Sequence, residues 1–177
     1  MCRIIRLCVI SILATTGGCR DNPAGAEESP LKGILFINEF LASNRSINAD
    51  EQGDYDDWIE LYNGGDTDVE LGGMHLTDNF GIWTKWIIPD TAILAGGFLI
   101  FWADGEETEG PLHTNFKLSA SGEEIGLYDT KAKGILLIDS ISFNSQRRDT
   151  SYGRYPDIGG SWQFFSTPTP GKANKGR

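Results

Sequence analysis

Between residues 34 and 165 the chain is a succession of short apolar runs, rich in β-branched and aromatic residues, each stopped by a cluster of Gly, Asn or Asp. None sustains a helical period, which confines the chain to an all-β sandwich or barrel. Strands are expected over Ile34–Phe40, Trp58–Tyr62, Val69–Leu71, Met74–Thr77, Trp83–Ile88, Phe98–Ala103, Glu124–Tyr128, Leu137–Phe143, Ser151–Tyr155 and Trp162–Phe165. In Trp58-Ile59-Glu60-Leu61-Tyr62 the period of two assigns Ile59 and Leu61 to the core and turns the other three side chains to the opposite face. Gly72-Gly73 and Gly96-Gly97 separate apolar runs and are expected to make tight turns or bulges.

The amino terminus carries Arg3 and Arg6, then an apolar run from Leu7 to Ala14. That run is far short of the roughly 20 residues of a membrane span and has the length of an export signal, here residues 1–18. Thr15-Thr16-Gly17-Gly18-Cys19 resembles the lipobox of bacterial lipoproteins, with Thr16 where Leu is usual. The resemblance implies a lipid on Cys19, and Arg20 after the cysteine favours the outer membrane over the cell membrane. Ala24-Gly25-Ala26 offers a second cleavage pattern that would release the protein instead. Residues 20–32 hold little to bury and read as a flexible tether. Cys2 and Cys8 leave with the signal, so neither an intramolecular disulfide nor a cysteine metal site is expected. One domain is expected over residues 33–174, a short tail over 175–177, and fraying after Pro170.

Several ordered segments carry a longer resemblance. They are INEFLASN from Ile37, DYDDWIELYN from Asp54, WADG from Trp102, LHTNFKLSASGEEIGLYD from Leu112, SYGRYPD from Ser151 and PTPGKAN ending at Asn174. Together they resemble the bacterial lamin-tail domain (LTD), which implies an immunoglobulin-like β-sandwich. The family is recognised by fold and not by one shared chemistry.

For catalysis the chain offers His75 and His113 but neither a G-x-S-x-G elbow nor a phosphate loop. Both histidines are expected as hydrogen-bonded surface or edge residues. The acidic run Asp50, Glu51, Asp54, Asp56 and Asp57, broken by Gly53, is the best candidate cation site, with calcium as the ion and Asp50, Asp54, Asp56 and Asp57 as ligands. Its spacing departs from the EF-hand, and the simpler alternative is a solvated acidic loop, with Asp57 accepting backbone N–H groups at the strand mouth. Asn38 and Glu39 on the first strand could meet Glu60 on the second, to bind a cation or to pair with Arg154. Trp83 and Trp86 cannot both face inward in a regular strand, so one of them is a candidate stacking surface for a sugar.

The formal net charge of −10 disfavours nucleic acid as a partner, despite basic residues at Arg147-Arg148 and at Lys172, Lys175 and Arg177. These features describe an exported, lipid-anchored, non-enzymatic module that binds or displays at the cell envelope, engaging a protein or polysaccharide in trans. The alternative is a calcium-dependent carbohydrate-binding module, or a small hydrolase, built on residues 50–57.

Overall fold

The computed structural model describes residues 27–176. The signal expected over residues 1–18, and Cys19, lie outside the described residues. Eleven strands follow in order: β1 (Leu35–Leu41), β2 (Trp58–Asn63), β3 (Val69–Glu70), β4 (His75–Thr77), β5 (Trp86–Ile87), β6 (Ala92–Ile93), β7 (Phe98–Trp102), β8 (Gly122–Tyr128), β9 (Leu137–Asn144), β10 (Ser151–Tyr155) and β11 (Ser161–Phe165). A three-residue 3-10 turn, Lys131–Lys133, joins β8 to β9. The larger sheet has the order β11-β10-β1-β2-β7, the smaller β5-β4-β8-β9, and β3 and β6 form a two-stranded ribbon. All named pairs are antiparallel.

The core fills the space between the sheets, with Leu35, Ile37, Phe40, Ile59, Leu61 and Phe101 from the larger sheet meeting Leu76, Trp86, Ile125, Leu127 and Phe143 from the smaller. Alternation places Ile59 and Leu61 there, as expected from the sequence. On β1 the register slips between Ile37 and Glu39, so that Asn38 is an extra residue in the strand. The slip changes the phase of alternation. Ile37 and Phe40 both face the core, while Glu39 and Leu41 turn to the sheet's outer face.

The bulge leaves the backbone of Ile37 to side chains. Its N–H donates to Asp139 Oδ2 at 2.9 Å and its carbonyl accepts from Arg154 Nε at 3.0 Å. Arg154 also donates from Nη2 to both oxygens of Asp139 at 2.9 Å, joining β10 to β9. Arg154 therefore pairs with Asp139 and not with Glu39 or Glu60.

The outer face of the larger sheet is itself covered. Leu41, Trp58 and Trp102 form a second buried cluster, with Ile47 from the loop after β1 and Ile100 packed against it.

Three sequence expectations change. The run 83–88 yields only Trp86–Ile87 as strand, because backbone hydrogen bonds from Ile82 to Asn79 and from Lys85 to Ile82 hold residues 79–85 in turns. The fold begins before Gly33: the Ser29 hydroxyl donates to Asp129 Oδ2 at 2.7 Å, and Leu31 packs on the core. The segment after Pro170, expected to fray, is bound to the sheet, and Asn174 is buried. Gly73 and Gly96 take φ of +81° and +67°, the turn conformation expected of them.

Truncating Trp58 to Ala removes the largest fully buried side chain and is expected to lower unfolding free energy by about 3–5 kcal/mol in denaturant melts. A loss under about 1 kcal/mol would show that the outer cluster is not a true core.

Candidate functional site

Buried carboxylates with displaced pKa values mark candidate functional sites. Glu39 and Glu60 stand out: they are directly opposed on β1 and β2, and neither has any exposed surface. Burial raises the pKa of Glu60 to about 8, against the opposing effect of its hydrogen bonds from Asn38 and Gly171, while the neighbouring charges of Glu39 and Asp157 push it further up. Glu39 is raised by the same cause, burial.

The carboxylates are closed over by the C-terminal segment. Thr169 N–H donates to Glu39 at 3.2 Å and its hydroxyl lies 3.0 Å from Glu39 Oε2, while Gly171 N–H donates to Glu60 Oε2 at 2.5 Å. The Ser151 hydroxyl donates to Glu39 from β10. Asn38 Nδ2 donates to Glu60 Oε1 and to Asp157 Oδ1, each at 3.1 Å. Asn174 completes the closure, with its N–H on Asp157 Oδ1 at 3.0 Å and its Nδ2 on the carbonyl of Arg154 at 2.9 Å. Gly153 makes room for it: a Cβ there would stand 2.9 Å from Asn174 Nδ2 and 3.0 Å from the carbonyl of Asn38. No substrate atom can reach these oxygens unless residues 169–174 leave, so the site is a clasp.

A second polar cluster lies at the β2–β7 end of the same sheet. Antiparallel pairing of Trp58 with Trp102, continued by Ala103 N–H on the Asp57 carbonyl at 2.7 Å, sets the residues before β2 beside those after β7. The acidic run thereby meets Asp104, Glu109 and His113. One potential ligand atom from each of Asp50, Glu109 and His113 lies within 4.8 Å of the other two, and Asp56, Asp104 and Glu109 form an overlapping group in the same range. Burial, followed by the charges of Asp104 and Asp50, raises the pKa of Asp56.

The four expected cation ligands do not converge. Asp50 and Asp56 enter the two overlapping groups, whereas Asp54 and Asp57 enter neither. Asp50 Oδ1 accepts the N–H groups of Gln52, Gly53 and Asp54 at 2.8–2.9 Å and so shapes the loop. Asp57 Oδ1 accepts Asn44 N–H at 2.9 Å, the strand-mouth role read from the sequence, and burial lifts its pKa to about 6.

The histidines also depart from expectation, for both are buried. His75 has no hydrogen-bond partner among the described residues on either ring nitrogen, and burial lowers its pKa. His113 is 2% exposed, and its Nδ1 is hydrogen-bonded to Asp104. Burial by itself would lower its pKa, but the hydrogen bond and charge of Asp104, with help from Glu51 and Asp50, leave it raised.

A family model described as Lamin Tail Domain matches residues 28–145. The chain belongs to the lamin tail domain family. The comparison with curated proteins gives no match. In this lamin tail domain β10, β11 and the clasping segment lie beyond the matched residues, yet they complete the larger sheet around β1.

The candidate stacking tryptophans divide. Trp86 is buried, with its ring edge-on to Phe101 and its Nε1–H donating to Glu107 at 3.1 Å, which removes it from any sugar platform. Trp83 is 52% exposed and lies nearly parallel to Tyr128, ring centres 6.4 Å apart. It sits beside a row of outward side chains that crosses all four strands of the smaller sheet in register, Ile87, His75, Tyr128 and Leu137.

Sequence reasoning did not single out Asp104 or Glu109, although the WADG segment held the first of them, nor the buried role of Asn174 in PTPGKAN.

Two outcomes follow from the clasp. Asn174→Ala, which strands the Arg154 carbonyl, is expected to cost about 1–3 kcal/mol of stability in a denaturant melt, with the fold retained. Because Glu60 holds its proton in the folded state up to about pH 8 but releases it near 4.5 when unfolded, its contribution to stability declines as pH rises across that window, by up to about 1.4 kcal/mol per pH unit. Comparing Glu60→Gln with the parent from pH 5 to pH 8 isolates this slope, and parallel stability curves would show that Glu60 titrates normally.

Proposed function

We propose that this lamin tail domain is a non-catalytic docking module, held at the cell envelope by a lipid on Cys19, that engages an envelope protein in trans. The observation that carries the reading is the outward row of Ile87, Tyr128 and Leu137 with Trp83 alongside, in which His75 fills the position between Ile87 and Tyr128 but is itself covered. Ile87 is 59% and Leu137 44% exposed, an apolar strip on the outer face of a sheet that alternation would ordinarily make polar. Aliphatic side chains at both ends of an aromatic centre suit the apolar middle of a protein interface.

The sealing of Glu39 and Glu60 supports the non-catalytic part of the reading, since these buried carboxylates with raised pKa values serve the fold. Anchoring draws on the sequence around Cys19, and an attached lipid would keep the domain at the surface where a partner is met. No helix among the described residues is long and apolar enough to cross a membrane. The net charge of −10 argues against nucleic acid as the partner.

A polysaccharide is the second reading, favoured by Trp83 as the most exposed tryptophan among the described residues. Crosslinking in intact cells, comparing wild type with Trp83→Asp and Ile87→Asp, separates the two. Protein crosslinks lost in both variants support docking, while retention on polysaccharide abolished by Trp83→Asp alone supports the sugar reading. The anchor is tested by mass spectrometry of membrane-extracted protein, where an unacylated Cys19 or an amino terminus at Glu27 would refute it.

A further inference from the structure

The acidic loop and the segment after β7 close on one side chain, His113. Its ring is almost wholly shielded, yet among the described residues Nε2 has no hydrogen-bond partner. The nearest carboxylate to that nitrogen is Glu51, whose Oε2 lies 3.6 Å away. On the opposite edge of the ring, Nδ1 is bonded to Asp104, itself 1% exposed. In the neutral imidazole, which a cation would select by displacing the Nε2 proton, a carboxylate on Nδ1 fixes the tautomer that leaves the Nε2 lone pair free and orients the ring, as the outer partners of metal-bound histidines do. Asp50 shows the same incompleteness: Oδ1 takes three backbone N–H groups, but Oδ2 is buried without a partner.

These unpartnered atoms belong to one locality. Asp50, Glu109 and His113 bring ligand atoms within 4.8 Å of each other. Glu51, Glu109 and His113 line a pocket of about 250 Å³ beside Gly110 and Leu112. The Gln52 side chain donates to the Glu109 carbonyl at 2.9 Å and fastens the two loops together. The nearby cation Lys117 is engaged elsewhere, 3.5 Å from Glu106.

We propose that His113 Nε2, with carboxylate oxygens of Asp50 and Glu51, binds a divalent cation of the zinc class, while Glu109 stands beside the ring with Oε2 3.9 Å from Nδ1. The imidazole decides the class: calcium and magnesium sites are built from oxygen, whereas a neutral imidazole beside carboxylates suits zinc and its first-row neighbours. Asp104 is then a positioning residue acting through Nδ1. The site stands on its own geometry and does not depend on the docking reading.

The test is titration of the full chain, stripped by chelator, with Zn²⁺ and separately with Ca²⁺, followed by calorimetry and by NMR of the imidazole nitrogens. One Zn²⁺ per chain, with the His113 Nε2 resonance shifted on binding, is the expected result. Asp104→Asn should weaken Zn²⁺ by about 10–100-fold, and Glu51→Gln, at an exposed position that leaves the core untouched, should weaken it measurably. If His113→Ala fails to fold, the Glu51→Gln titration and the imidazole spectrum still decide the question. Calcium binding that leaves Nε2 unmoved would overturn the proposal in favour of an all-oxygen site. Binding of neither ion would overturn it in favour of a purely structural imidazolium.

Discussion

Glu39 and Glu60 lie side by side on the outer face of the larger sheet, with neither side chain exposed to solvent. A buried carboxylate is tolerable only if its oxygens are given donors or its charge is neutralised, and both happen here. The donors come from Ser151 on β10 and from Thr169 and Gly171 beyond β11, so the charge problem on two central strands is resolved by the far end of the chain. This requirement gives the C-terminal segment a fixed seat. It also explains the small residue at Gly153, across which Asn174 must reach.

The bulge at Asn38 is the local device that makes the arrangement possible. Without the bulge, regular alternation through Asn38 would put Ile37 and Glu39 on one face, and a glutamate would enter the hydrophobic core. With it, Glu39 turns outward to meet Glu60, and the backbone of Ile37 falls to the Arg154–Asp139 pair. One irregularity thus ties together β1, β9 and β10, drawn from both sheets.

Much of the fold was legible because it follows from local alternation: ten of the strands, the inward face of Ile59 and Leu61, and the turns at Gly73 and Gly96 lie close to where the pattern places them. The ribbon strand Ala92–Ile93 was missed because two residues carry no period. The candidate sites were less legible, since they depend on register. Asp56 meets Asp104 only because Trp58 pairs with Trp102, and no spacing along the chain encodes that pairing. The burial of His113 arises in the same way, from the closing of two loops. For Arg154 the sequence offered Glu39 and Glu60 as partners, and the bulge, invisible to composition, brought Asp139 instead.

Among the described residues, the N-terminal side is fastened at Ser29 and leads directly into β1, which lies inside the larger sheet between β10 and β2. A pull applied to the chain from that side therefore loads an interior strand first. Such a strand cannot be peeled from an edge; the ladders on both flanks must yield, along with the ionic tie at Ile37. The same strand carries Glu39, so the tension would also be resisted by the terminal segment fastened across it. In mechanical terms, the domain is gripped where a tether would draw on it.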